Sequence, residues 1–127
     1  VAVLDGDTIE VLRDDTRERV RYIGVDAPER AHEGSAAECF SGEAAEFNRS
    51  LVADAKVQLV AGKEDRDTYG RLLRYVYTKD TFVNMKLMEE GYAEALTIPP
   101  NTRFADVFEE LETTAKHEGR GMWSACE

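Results

Sequence analysis

Nine consecutive residues, Arg21-Tyr22-Ile23-Gly24-Val25-Asp26-Ala27-Pro28-Glu29, constrain this chain more than any other stretch. Side chains alternate along a strand with period two. A strand over 21–25 therefore sets Arg21, Ile23 and Val25 on one face, near the interior if the two aliphatic residues are core. A guanidinium beside apolar neighbours is tolerable only with an anion to match it. Asp26 falls where the strand ends, and Pro28 holds Ala27 extended. That stiff corner turns Glu29 back toward Asp26 and Arg21. Gathered in this way, the groups suit a hard metal ion, a phosphate and a water.

The rest of the chain must supply one core around that corner. Its 127 residues make a single domain over 1–127. No apolar run approaches the roughly 20 residues of a membrane helix. No basic-then-apolar leader is present, and Val1 is not a natural start, so the chain reads as a processed or trimmed domain, which leaves room for a lost signal peptide. The formal net charge of −10 argues against a general nucleic-acid binder, whose affinity comes from Lys and Arg on phosphates. It leaves room for an enzyme with local positive charge. The acidity itself reads as a solvated surface or as adaptation to high salt, where like charges are screened.

Hydrophobic spacing predicts short strands over 1–4, 8–12, 17–25, 57–61 and 71–78. The first three form a meander around turns at Asp5-Gly6 and Asp14-Asp15. A loop covers 30–40 and a helix 41–55, with Ala44, Phe47, Leu51, Val52 and Ala55 on its buried face. Residues 62–70 read as a charged loop. A short helix over 83–90 ends at Gly91, a good residue past a helix end. Asn101 or Thr102 can cap the last helix, whose stripe is Phe104, Val107, Phe108, Leu111 and Ala115. This is an α+β pattern, and pattern alone leaves several topologies open. Met85 and Met88 read as helix packing, Trp123 as a tail anchor, and His32 and His117 as surface residues.

The corner has two partners in sequence, Asp5-Gly6-Asp7-Thr8 upstream and Asp67-Thr68-Tyr69-Gly70-Arg71 downstream, and the chain closes with Met122-Trp123-Ser124. In this order, over nearly the whole chain, these motifs resemble the staphylococcal nuclease (thermonuclease) family. Each motif alone is weak evidence; their order is what carries the likeness. The resemblance implies a five-stranded OB-fold β-barrel with three helices, whose sheet face and loops bind nucleic acid. It implies a Ca2+-dependent nuclease acting on DNA and RNA, leaving 3′-phosphate products, monomeric, with no membrane role, and secreted or extracytoplasmic. The rival reading is a non-catalytic OB-fold module that binds nucleic acid or protein.

By the same resemblance, Asp7, Asp26 and the Ala27 carbonyl are the Ca2+ ligands. Oxygen donors suit a hard cation, and since Ca2+ takes six to eight of them, waters and a phosphate oxygen must complete the shell. Taken singly, each Asp is a turn former. Glu29 is the general base for water, against a plain surface salt bridge. Arg21 and Arg71 are phosphate clamps, because a planar guanidinium fork matches two phosphate oxygens. Tyr69 contacts substrate by stacking or hydrogen bonding, against a half-buried loop anchor. Asp5 is a supporting or turn residue, and Asn84 a structural one.

Two departures weaken the likeness. Thr68 stands where the staphylococcal enzyme has a Lys, and only Leu96 and Thr97 lie near the place of a substrate-contacting tyrosine. Both remove substrate contacts rather than chemistry. Cys39 and Cys126 are spaced wrongly for a metal pair. Extracellular relatives can tie the first helix to the tail, which implies a disulfide here; two free thiols are the alternative. A bridge over nearly ninety residues stabilises by about 4.5 kcal/mol in the chain-entropy model.

Overall fold

The computed structural model describes residues 1–126. In chain order the elements are β1 (Ala2–Asp5), β2 (Thr8–Arg13), β3 (Thr16–Tyr22), β4 (Val25–Asp26), α1 (Ser41–Val52), β5 (Gln58–Arg66), β6 (Leu72–Tyr77), α2 (Val83–Glu89), β7 (Glu94–Ala95), α3 (Ala105–Glu118) and α4 (Met122–Ala125). The strands β1, β2 and β3 make the expected antiparallel meander, with Thr8 opposite Arg21 and Glu10 opposite Arg19. β6 then joins β3 in parallel, Arg21 beside Leu73, and β5 pairs antiparallel with β6.

The result is a mixed α+β fold with a five-stranded sheet in the order β1-β2-β3-β6-β5, a two-stranded β4-β7 ribbon and four helices. Two expectations are corrected. The five strands do not close into a barrel: β1 and β5 are the sheet's two edges and share no ladder among the described residues. β1 is only four residues long, and its register breaks between Val3 and Asp5, so it offers little edge to pair. The fourth helix is the single turn α4, in a tail where only an anchor was expected.

The single strand expected over 17–25 is also interrupted. β3 stops at Tyr22, and Gly24 takes φ +82°, where a Cβ would sit 2.6 Å from the Phe108 ring. A positive φ and that close approach both call for glycine. The chain turns there and restarts as β4, which pairs with β7, with Val25 opposite Ala95. Ile23 and Val25 are buried, but the break takes them off the face of Arg21. Within β3 the core side is Val20 and Tyr22, so the three residues do not share one strand face as expected.

The core lies between the sheet and the helices. Ile9, Val20, Tyr22, Leu72 and Val76 come from the strands, Val83, Leu87 and Met88 from α2, and Phe108 from α3. Met85 packs at its margin. α1 buries Ala44, Ala45 and Val52 together with Asn48, whose side chain accepts the Tyr22 hydroxyl at 2.7 Å and donates to the Asp5 carbonyl at 3.0 Å. A buried amide must be bonded on both sides, and here those bonds fix the strands to α1. Asn84 is a similar strut: it accepts the Val76 N–H and donates to the Ile23 carbonyl, both at 2.9 Å.

Asn101 does not cap the last helix. α3 starts at Ala105 with no side-chain cap, and Asn101 instead accepts the N–H groups of Lys63 and Glu64 at 2.7 and 2.9 Å. Those residues sit where the β5–β6 register shifts, between Ala61 and Arg66. The side chain replaces ladder partners that the bulge removes, which is why β5 extends into the region expected to be loop. Cys39 and Cys126 are bridged, their Cα atoms 6.0 Å apart. Trp123 packs beside Lys116, whose Nζ lies 4.7 Å from the ring centroid, so the tail is anchored as expected.

Candidate active site

The tight β1–β2 turn brings Asp7 to the site. At Gly6 a Cβ would come within 2.8 Å of the Cβ atoms of both Ala27 and Ala44, so the turn lies flush on the proline corner and on α1. Asp7 is buried. Its Oδ2 accepts the Ala27 N–H at 2.7 Å and its Oδ1 accepts the Thr8 hydroxyl at 3.0 Å. These two bonds lock the carboxylate's orientation before anything binds.

Arg21 closes the corner from the sheet side. Its Nη1 donates to the carbonyls of Tyr22 and Val25 at 3.1 and 2.7 Å, and its Nη2 donates to Asp26 Oδ1 at 3.2 Å. Asp7 Oδ2 stands 3.3 Å from Nη1. The guanidinium therefore does two tasks: it satisfies the β3–β4 break, and it holds two carboxylates beside each other. Its side chain is 15% exposed, which leaves it little freedom.

Glu29 is placed by the loop that follows Pro28. Its N–H donates to Glu38 Oε1 at 2.6 Å, and the Glu38 N–H donates to the Glu29 carbonyl at 2.9 Å. Arg30 N–H donates to Asp5 Oδ1 at 3.1 Å. Glu38 adjoins the bridged Cys39, so the loop is tied at both ends. His32, expected to be a lone surface residue, sets its Nε2 3.0 Å from Glu29 Oε1. The spacing of three residues was the only sign of that contact in the sequence.

Arg71 arrives from the start of β6. Its Nε donates to Asp67 Oδ2 at 2.7 Å. Among the described residues, neither of its terminal nitrogens is hydrogen-bonded, so the fork is left for a ligand. Tyr69 is 83% exposed, with Arg71 Cζ 5.4 Å from its ring centroid. At that exposure Tyr69 is not the half-buried loop anchor of the alternative reading. Asp67, in sequence only one member of a motif, holds both the loop and the arginine.

One hollow of about 180 Å³ is lined by Asp7, Arg21, Asp26, Ala27, Glu29 and Arg71, together with Asp5 and Thr8. The expected catalytic and metal-binding residues thus share one surface. Tyr69 lies outside it and lines two adjoining hollows, both of which also touch Arg71. One of the two, about 360 Å³, is walled by Ile23, Leu73, Leu96 and Ile98.

The carboxylates here outnumber what the two guanidiniums neutralise. Burial first, then the neighbouring Asp7 and Glu29, push the Asp5 carboxyl above its ordinary value against the opposing pull of Arg30. Burial likewise raises Asp26; Arg21 opposes it, while Asp7, Glu94 and Glu38 add to it. A bound cation would relieve that repulsion. The donor set of carboxylate and carbonyl oxygens fits a hard ion such as Ca2+. Among the described residues no three His, Cys, Asp or Glu side chains form a cage of their own. Water and substrate oxygens would have to share the shell.

A family model described as staphylococcal nuclease homologue matches residues 19–125. The thermonuclease of Staphylococcus intermedius is 36% identical over 121 residues, covering 95% of this chain and 72% of the relative. That of Staphylococcus hyicus is 34% identical over 124 residues, covering 98% and 73%. The endonuclease YncB of Bacillus subtilis is 40% identical over 123 residues, but the chain spans only 58% of its length.

Proposed function

The chain belongs to the staphylococcal nuclease family and is a nuclease by that membership; on that premise we propose that it hydrolyses phosphodiester bonds of DNA and RNA with Ca2+ and leaves 3′-phosphates. The observation that carries this reading is the single hollow shared by Asp7, Arg21, Asp26, Ala27, Glu29 and Arg71. All six come from one chain, so a monomer suffices.

Asp7 and Asp26, with the Ala27 carbonyl, would hold the cation, which when bound supplies positive charge that polarises a phosphate oxygen. Glu29 takes a proton from the water that attacks phosphorus, which requires it to be within hydrogen-bond reach of that water. Arg71 presents its two terminal nitrogens to the non-bridging oxygens, where charge grows during displacement. Arg21, already held by backbone carbonyls, adds fixed charge to the same hollow. The 5′-oxygen leaves. The apolar hollow beyond Arg71 takes the sugar and base, with Leu96 and Ile98 supplying contact area in the region where the tyrosine is missing.

Among the described residues no helix is long and apolar enough to cross a membrane. The Cys39–Cys126 bridge suits an oxidising compartment, and we place the protein outside the cytoplasm on that ground.

The test is cleavage of single-stranded DNA and RNA with Ca2+ and with a chelator, the products read by mass. Chelator-sensitive cleavage to 3′-phosphates is expected. Retention of uncut strand would favour a binding module instead. Ca2+ alone should bind weakly, with Kd on the order of 10⁻⁴ M or above. A hundredfold excess over Kd then stabilises the fold by about 2.7 kcal/mol, measurable as a rise in Tm.

A further inference from the structure

The net charge of −10 hides a cationic track on β3. Arg17, Arg19 and Arg21 alternate with Glu18, Val20 and Tyr22, so the three arginines point to one face of the strand. Their neighbours on β2 are Leu12, Glu10 and Thr8. Arg21 lies in the catalytic hollow. Arg19 lines the adjoining hollow together with Glu29, Tyr69 and Arg71. The side chains of Arg17 and Arg19 are 81% and 64% exposed.

Their pairing within the protein is thin. Among the described residues Glu10 alone faces both, at 3.5 Å from Arg17 and 4.0 Å from Arg19. One carboxylate between two guanidiniums leaves positive charge in excess, and exposed pairs of this length contribute little to the fold. By contrast, Arg13 on β2 and Arg66 at the end of β5 meet Glu18 on the opposite face. The excess is therefore local to the face that leads into the site.

We propose that Arg19 and Arg17 form a binding track for the phosphates flanking the scissile one, so that a polynucleotide strand lies along β3 and is cut within its length. This deepens the nuclease reading above and rests on it for the position of the scissile phosphate. Alternate residues on a strand repeat every ~6.8 Å, so Arg21 to Arg17 spans about 14 Å. That length takes two further phosphates of an extended strand. Beyond Arg17 the hairpin turn carries Asp14 and Asp15, two carboxylates that end the track by repulsion. Binding therefore gains from added nucleotides over a short range and then levels off.

The experiment measures binding of fluorescein-labelled oligothymidylates, two to ten nucleotides long, to the full chain without divalent ion. It then measures cleavage of the same strands, and of thymidine 5′-(4-nitrophenyl phosphate), with Ca2+. Affinity should tighten from two to about five nucleotides and then flatten. The Arg17→Ala/Arg19→Ala variant should lose that gain and should reduce the slope of log K against log salt by about 1.4, at ~0.7 per phosphate on a single strand. Its KM should rise on strands while its rate on the small ester stays at the wild-type level. Arg17→Lys/Arg19→Lys should restore most of the slope, and Glu10→Gln should tighten strand binding. A double alanine variant that keeps the wild-type length dependence and salt slope overturns the track, even if the protein cuts DNA. A wild-type chain that shows the length dependence yet cuts nothing with Ca2+ overturns the hydrolytic reading and leaves the track standing.

Discussion

Asp67 holds the Arg71 guanidinium by a single nitrogen. Its Oδ2 accepts the Arg71 Nε at 2.7 Å, while its Oδ1 accepts the backbone N–H groups of Tyr69 and Arg71 at 2.9 and 3.0 Å. One carboxylate thus folds the loop before β6 and aims the guanidinium, with the terminal nitrogens left over for phosphate. Arg21 differs, because its terminal nitrogens are engaged by carbonyls and by Asp26. The two arginines of the site are not equivalent.

Arg71→Ala should therefore cost about 10²–10³ in kcat, the usual scale for losing one preorganised donor. Arg71→Lys should recover little of it, since an ammonium cannot copy the fork. Urea unfolding of Arg71→Ala should change far less than turnover. Arg21→Ala should damage both, and a variant of Arg21 that folded with wild-type stability would contradict its role in the corner.

The Asp67 contact has a pH signature. Burial by itself raises this carboxyl, but the bonds from Arg71 and Tyr69 prevail and hold it below the ordinary carboxylate value. A folded-state value below the unfolded one adds stability above the unfolded value, and that stability is lost as pH falls through the folded one. Asp67→Asn should be less stable than wild type by about 1 kcal/mol at pH 7, a modest figure because the pair is partly solvated. Near pH 2 the difference should shrink toward zero in urea melts. A difference unchanged between the two pH values would mean that shape, not charge, is responsible.

Glu29→Gln should reduce kcat by about 10²–10⁴, the range for losing a general base. KM for the strand should move little, because the amide still fits the site. Single-turnover assays separate the chemical step from release. Wild-type rates in this variant would assign the proton to another group.

Asn101→Ala should destabilise by about 1–3 kcal/mol, because it leaves the Lys63 and Glu64 N–H groups without their acceptor. Asn101 and Glu64 also line the apolar hollow next to Arg71, so KM should rise more than kcat falls. Hydrogen exchange at residues 62–66 reads the structural part directly.

Much of this site was legible as a list of residue types in order. The acidic turn at 5–8, the proline corner and the Tyr-Gly-Arg segment all line one group of adjoining hollows. Local rules handled them because tight turns, strand ends and X-Pro corners depend on neighbours in sequence. The break in β3 was not legible. Gly24 is permissive in any turn, but only the Phe108 ring packed against it makes the positive φ necessary. Asn101 misled for the same reason: next to a helix it reads as a cap, and its real partners are nearly forty residues away. His32 reads in sequence as a surface residue because an isolated histidine carries no pattern, although Glu29 stands three residues away.

From sequence alone came the inventory of the site, the meander, the helix faces and the nuclease likeness, since each depends on residue type and short spacing. The tertiary structure decided which arginine is free, that the sheet stays open, and that a cationic face survives on an acidic chain. Those outcomes depend on which groups meet across long separations, where one bond from Asp26 or Asp67 determines what a guanidinium has left to offer.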